Sequence, residues 1–402
     1  MFRLFFNIIY LVVYKLIPIK KGRLVFMSYH GKCTDSPRYL SEYISSHYPN
    51  YEVIWLIDSK HKKEVPANMR ARLLGSIGGF MALASANIIV DNVYCNKSFT
   101  WYNNDKYGSF LYKYHSVMMN KRKQVAYTTF HGVPLKKMGR DRNNNLVKAF
   151  SCPNTVMLLD NQHSIRVFDK LTFGKVSIRK CGSPRIEYLL KQSQCDSSEI
   201  KKQMGVPIGY NVLMYAPTFR NEGKSSEGED IYRSGLEQLE SFDLEQLFEA
   251  MKRKFGGDWV MILRFHQKVA SMVDWNLLND KYSGLIINGN KYDEMNDYLS
   301  VTDLLITDYS SCMFDFSTLK RPCFLYINDY DNYRDKERGL YFGIEELPFP
   351  SASRFDDLIS LIQSFDETIY MDRLSSFHKA LDYVIDYNAS ENIAKTIIGE
   401  GN

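Results

Sequence analysis

The chain has 402 residues, 45% of them hydrophobic, 24% charged and 14% aromatic, with a formal net charge of +5 at pH 7. That length exceeds one ordinary core and fits two domains. The mild, dispersed positive charge favours anionic substrates or an anionic lipid surface and argues against nucleic acid as a partner. Seven cysteines are scattered, odd in number and never in CxxC spacing, which speaks against a disulfide framework or a zinc site and for a reducing compartment.

The first 21 residues, MFRLFFNIIYLVVYKLIPIKK, carry an apolar run interrupted by Asn7 and Lys15 and stopped by Pro18. It is shorter than the roughly 20 residues of a transmembrane helix. Basic residues follow the run and no A-x-A site appears, which is not the order of a signal peptide. Two readings remain, an amphipathic helix lying in the plane of a membrane and an ordinary helix docked on the body. Lys20, Lys21 and Arg23 beside the apolar run favour peripheral attachment to anionic lipid.

From Arg23 onward strands and helices alternate. Apolar runs at 24–28, 53–58, 87–91, 125–130, 155–160 and 176–181 predict strands, and 37–46, 79–85 and 162–172 predict helices. A polar stretch at 191–199 reads as a linker. The same grammar then restarts, with strands at 211–216, 259–264, 285–288, 304–307 and 323–327, a charged loop at 220–230, and helices at 236–254, 292–300, 312–319, 355–364 and 371–394. Such alternation implies an α/β protein of two Rossmann-like, doubly wound domains facing a cleft. The expected organisation is a membrane-associating helix over 1–21, an N-terminal domain over 22–195, a C-terminal domain over 196–372, and a helix over 373–402 that can cross back to the first domain.

The stretch from Leu304 to Tyr330 reads as strand–turn–helix–strand, with Asp308-Tyr309-Ser310-Ser311 as the turn. In an open α/β fold that turn lies at the carboxyl edge of the sheet, where a phosphate can meet backbone N–H groups and two hydroxyls. The competing reading is that Ser310 or Ser311 simply caps the helix. No GxGxxG, P-loop, H-E-x-x-H or GxSxG motif is present. Two histidines follow predicted strands in matching places, His131 in FHGVPLKKMG and His266 in ILRFHQK, where an imidazole suits general-base work. Lys136 and Lys137 follow the first, with one or both expected on a solvated face. Arg264 precedes the second on the same strand face, and an Arg there can fork a phosphate.

These segments carry a resemblance. HGVPLKKMG, GSPRIEYL, YAPTFR, LRFHQK, ITDYSSCMFDFSTLKRP and NDYDNYRDKERGLYF fall in the order and spacing of the CDP-glycerol glycerophosphotransferase family, and the chain resembles its members from about residue 28 to 348. The family includes teichoic acid primases and polymerases and enzymes of phosphate-linked capsule polymers. The resemblance implies a GT-B-like fold, with the first domain on the acceptor side and the second holding a CDP-alditol, attached at the cytoplasmic face of the membrane. It implies that His131 is the base or an essential charge stabiliser and that His266 stabilises the departing phosphate. Ser310 and Ser311 would contact the diphosphate, framed by Asp308 and Asp315. Thr218, Arg264 and Arg338 match nucleotide-side positions, and Gly132, Pro134, Lys136 and Arg185 fall in the weaker acceptor or donor segments. The chain departs from the family pattern at Gln267, where Pro is usual, at Val133, where Thr is frequent, and at GSPRIE.

The implied reaction is attack of an acceptor hydroxyl on the β-phosphorus of a CDP-alditol with CMP leaving. The acceptor would be lipid-linked or a growing polymer, and the alditol glycerol or ribitol. No cofactor is obligatory for it, although Mg²⁺ carried on the donor's diphosphate could assist. A GT-B glycosyltransferase using a nucleotide sugar is the alternative, and a non-catalytic nucleotide- or polymer-binding module is a third.

Overall fold

A computed structural model describes residues 12–92, 124–141, 154–218, 239–240, 242–292, 294–334 and 339–400. The expected N-terminal helix lies largely outside them, as do Arg338 and the charged loop 220–230. The chain divides into two units, Met1–His131 with Val147–Tyr188 and Tyr383–Asn402, and Gly132–Leu146 with Leu189–Asp382.

Unit 1 is built on a parallel sheet of β1 (Arg23–Phe26), β2 (Glu52–Ile57), β3 (Arg70–Leu73), β4 (Ile88–Asp91), β5 (Val125–Thr128), β6 (Thr155–Leu159) and β7 (Ser177–Lys180), in the order β3-β2-β1-β4-β5-β6-β7. Side chains alternate across each strand, so one sequence feeds two apolar layers. Val25, Ile54, Leu56 and Ile89 pack with Leu83 and Ala84 of the helix Ile77–Ala84 on one face. Leu24, Phe26, Val53, Trp55, Ile88 and Val90 pack on the other with Leu40 and Ile44 of the helix Asp35–His47. Ile393, Ala394, Ile397 and Ile398 of the C-terminal helix Ala389–Glu400 join that second layer. Each such large side chain removed from water contributes roughly 1.5–3 kcal/mol. The return of the chain is anchored by Val384 N–H on the Asp160 carbonyl (2.7 Å) and Ser390 N–H on Glu187 (2.6 Å).

Unit 2 repeats the topology with β8 (Tyr210–Ala216), β9 (Asp258–Leu263), β10 (Ile286–Asn288), β11 (Leu304–Thr307), β12 (Cys323–Tyr326) and β13 (Ser351–Ala352), ordered β10-β9-β8-β11-β12-β13 and parallel throughout. Two of its helices start where a side chain satisfies the first turn: Asp243 accepts from Gln246 N–H (3.0 Å) and Asp366 from Ile369 N–H (2.9 Å).

Several sequence expectations are corrected. The supposed linker 191–199 is mostly helical, taken up by Pro184–Ser193 and the start of Ser198–Met204. The single helix expected at 371–394 is two, Glu367–Leu381 and Ala389–Glu400, because the chain turns left-handed at Asp382 (φ 48°). Of the helix expected at 236–254, residues 236–238 lie outside the described residues, 239–240 are helical, and a helix capped by Asp243 runs from Leu244 to Phe255. The segment 132–146, which sequence order puts in the N-terminal half, belongs to unit 2. It pairs there, with Lys136 bridged antiparallel to Leu340 and Lys137 N–H donating to the Gly339 carbonyl (2.8 Å).

Candidate active-site residues

In unit 1 the strand order reverses between β1 and β4, and the residues just past these strands are polar. Asn92, directly after β4, is fully buried. Its Oδ1 accepts from Tyr29 N–H at 3.2 Å and its Nδ2 donates to Asp35 at 2.7 Å. Its main-chain carbonyl lies 3.0 Å from His131 Nδ1. A carbonyl only accepts, so Nδ1 carries the proton and the neutral ring keeps its lone pair on Nε2. The imidazole is exposed, packs on Phe130 (centroids 4.0 Å) and meets Tyr29 edge-on (6.1 Å). Phe130 (φ 52°) and Gly132 (φ 136°) flank it, a backbone turn that throws the ring clear of β5. Arg185, assigned from the sequence to the acceptor or donor side, lies past β7 in unit 1. It is buried, 3.4 Å from the Asp160 carboxylate, with its N–H on Ser36 Oγ (3.4 Å), a brace beneath the strand ends.

In unit 2 the reversal falls between β8 and β11, which end in Pro217-Thr218 and Asp308-Tyr309-Ser310-Ser311. Asp308 is only 2% exposed. It takes the Thr218 N–H on both oxygens (2.8 and 3.0 Å) and the Tyr309 N–H on Oδ1 (2.5 Å), while Thr307 Oγ1 donates to the Ala216 carbonyl (2.7 Å). The carboxylate therefore staples the two strand ends together; its oxygens face protein donors. The helix Cys312–Ser317 begins at Ser311 without a side-chain cap bond, while Ser310 hydrogen-bonds the Cys312 thiol and its Oγ lies 3.5 Å from Cys312 N–H. The capping alternative thus fails for Ser311. Burial pushes the Cys312 thiol up to about 11, so it stays protonated and is no nucleophile at neutral pH. Asp315 is buried in the first turn of the same helix.

Gly132, the first residue of the 132–146 segment, lies against this turn. A Cβ built on it would stand 3.2 Å from Ser311 Oγ and 3.6 Å from Ser311 Cβ. Pro134 is buried. Of Lys136 and Lys137, at least one of which was expected on a solvated face, both are half-buried; the Lys136 ammonium lies 5.7 Å over the Tyr333 ring, which stacks on Tyr309 at 3.9 Å. Tyr341 ties the segment's end by donating to Asp141 (3.0 Å) and accepting from Met138 N–H (3.3 Å).

His266 is exposed just past β9, its carbonyl accepting from Val269 and Ala270 N–H groups as the short helix Gln267–Ala270 begins. Arg264 has a bracing role that its position on β9 did not reveal. Its Nη1 donates to the Gly289 (2.5 Å) and Tyr292 (3.0 Å) carbonyls, and the guanidinium lies 4.8 Å over the Tyr298 ring. Sequence reading missed Asn92, Asp35 and Tyr29. For Asn92 the available signal was a polar residue immediately past an apolar strand, the same signal that singled out His131. Among the described residues no group of three or more His, Cys, Asp and Glu side chains is placed to hold a metal ion. A groove of about 900 Å³ bordered by Tyr210, Trp259 and Tyr282 opens at the amino edge of β8–β10, away from these residues.

A family profile described as "CDP-Glycerol:Poly(glycerophosphate) glycerophosphotransferase" matches residues 8–399. The chain is 27% identical over 403 residues to the teichoic acid poly(glycerol phosphate) polymerase of Staphylococcus epidermidis, covering 94% of this chain and 51% of the relative, so it spans about half the length of that protein. It is 28% identical to the teichoic acid glycerol-phosphate transferase of Staphylococcus aureus, covering 94% and 93%. The solved structure of the wall teichoic acid polymerase TagF superposes with a TM-score of 0.73 at 25% identity, covering 98% of this chain and 93% of that one, and TagF has also been solved after a CDPG soak.

Proposed function

The chain belongs to the CDP-glycerol:poly(glycerophosphate) glycerophosphotransferase family, and on that premise we propose that it moves an alditol phosphate from a CDP-alditol to an acceptor hydroxyl. The alditol is glycerol or ribitol, and the acceptor a lipid-linked or growing polymer. The hydroxyl oxygen bonds to the β-phosphorus, the bond from that phosphorus to the bridging oxygen breaks, and CMP leaves. The protein's contribution is positioning and charge stabilisation. His131 Nε2 accepts the hydroxyl proton. Ser310 and Ser311, with the backbone N–H groups of their turn, hold the diphosphate, and His266 stabilises charge on the departing phosphate. Thr218 helps to shape the nucleotide side through its staple to Asp308, and Arg264 braces the loop after β10.

The observation that carries this reading is Gly132 seated against Ser311. Within unit 2 the opening residue of the 132–146 segment thus packs on the serine turn, leaving little room for a β-carbon beside Ser311 Oγ. Incubation with CDP-glycerol, CDP-ribitol and a panel of nucleotide sugars tests it. CMP release from a CDP-alditol is expected; a nucleoside diphosphate released from a nucleotide sugar would support the glycosyltransferase alternative instead.

Attachment to an anionic membrane surface belongs to the same proposal. In residues 12–16, which are helical, Tyr14 is fully buried and donates to Gln124 (2.8 Å), while Val12, Val13 and Leu16 lie on the opposite, exposed side. The adjoining helix Ile77–Ala84 meets Tyr14 through Phe80 (ring centroids 6.0 Å) and exposes Ile77 (83%) and Met81 (44%). Lys15, Lys20, Lys21 and Arg72 are exposed. Burial alone would raise the Glu52 carboxyl, but Lys20 and Arg23 hold it below its usual range and Arg70 also bonds it, leaving this region cationic. An apolar face beside lysines and arginines suits acidic lipid headgroups. The double variant Leu16→Glu, Ile77→Glu should lose sedimentation with anionic vesicles while keeping CMP release with a soluble acceptor. Unchanged sedimentation would end the membrane reading.

A further inference from the structure

We infer that Asn92 is a positioning residue that sets the tautomer of His131, with Asp35 as its anchor. The inference rests on the base role proposed for His131 and extends it to two residues that were assigned no role from the sequence.

His131 can act as a base through Nε2 only while Nδ1 holds the proton, and the Asn92 carbonyl is the acceptor that keeps it there. A carbonyl past the end of a strand is free to swing unless its own residue is pinned. Here the Asn92 side chain is pinned twice. Tyr29 N–H, arriving from the end of β1, donates to Oδ1, and Nδ2 donates to Asp35 Oδ2 at the start of the helix Asp35–His47. Asp35 is itself held: it is buried, adopts φ 62°, and receives Ser36 N–H on Oδ1 at 2.6 Å. A residue with a β-carbon in the left-handed region is uncommon, and the surrounding bonds keep it there. The result is a relay from helix start through carboxylate, amide and carbonyl to imidazole, all within unit 1.

The chemistry requires these types. An amide at position 92 can accept from Tyr29 and donate to Asp35 at once; a carboxylate cannot donate. Asn92→Asp would set two carboxylates face to face at hydrogen-bond distance, and one must move or take up a proton. If one moves, the carbonyl on His131 shifts and the ring is released to the Nε2–H tautomer, which cannot accept the hydroxyl proton. If one takes up a proton, the bond survives only while that proton is held, so the loss grows as pH rises.

The test uses three full-length variants: Asn92→Asp, Asp35→Asn, and the double variant that exchanges the two residues. The exchange rebuilds the relay with only the bond between positions 92 and 35 reversed in direction; the Tyr29 and Ser36 N–H groups still donate. An amide at position 35 can donate to a carboxylate at position 92 and still accept from Ser36. Turnover with a CDP-alditol is measured across pH, and the His131 tautomer is read by nitrogen-labelled histidine NMR, assigned against His131→Gln. Asn92→Asp should lower kcat by at least about tenfold with little change in donor KM and shift its ring signal toward Nε2–H. The double variant should recover both. Unchanged kcat and an unchanged tautomer in folded Asn92→Asp would overturn the inference, as would a folded exchange variant that recovers neither. If no CDP-alditol is turned over by the parent enzyme, the tautomer measurement still decides the relay, so its failure and that of the reaction are told apart.

Discussion

The two sheets share one strand order but end their strands in opposite ways. At the carboxyl edge of unit 1 the buried groups, Asn92 and Asp35, hold a histidine whose ring stands in solvent. At the corresponding edge of unit 2 the buried group is a carboxylate, Asp308, and what it holds is backbone, the Thr218 and Tyr309 N–H groups, beside Ser310 and Ser311, the second of which makes no side-chain cap bond. In the reaction proposed above, one edge takes a proton and the other receives an anion. Duplicated topology thus supplies two places for chemistry, and the residue just past each strand decides which chemistry it is.

The contrast can be broken at either edge. The largest effect is expected from His131→Ala, which removes the base and should lower kcat by roughly 10²–10⁴-fold with the fold intact by circular dichroism. Next comes Asp308→Ala. It strands two buried backbone donors, and urea unfolding should show unit 2 weakened by about 2–4 kcal/mol, with activity falling in step. Gly132→Val places a branched side chain at φ 136° and against Ser311, and should cost about 1–3 kcal/mol and weaken donor binding, read as a raised KM.

The smallest effect sharpens the comparison through pH. Burial, with a further push from Lys320, lowers the His378 imidazole of unit 2 to about 4 from its ordinary 6.5. Its Nε2 lies 2.8 Å from Ser317 Oγ, whose own hydrogen goes to the Phe314 carbonyl (2.6 Å), so the neutral ring donates. Between those two pKa values the unfolded chain binds the extra proton. The stability is therefore complete above about 6.5 and is lost as pH falls toward 4, on the order of 2 kcal/mol. His378→Gln should flatten that part of the stability profile; an identical acid limb would assign it to other groups.

Legibility in the sequence followed burial and locality. Leu304–Thr307 and Gln162–Thr172 were readable to the residue because an apolar run ends at turn or capping residues, Asp308 in one case and Asn161 in the other. β3 was not, since Arg70–Leu73 is a largely exposed edge strand with no apolar run, and β13 is only two residues long. The break at Asp382 carries no Gly or Pro to announce it. At the site, the histidines and serines stood out by motif, whereas the work of Arg264 depends on carbonyls 25 and 28 positions away. The same holds for Asn92, whose partners Tyr29, Asp35 and His131 lie on three other segments. Such roles are made by topology, and local pattern does not encode them.

Phosphorus NMR of the enzyme with a CDP-alditol and a hydroxyl acceptor tests the central claim most directly. One CMP should appear for each new phosphodiester in the parent protein, and both signals should vanish in His131→Ala and fall steeply in His266→Ala. A nucleoside diphosphate in place of CMP, or full turnover by the His131 variant, would contradict the account.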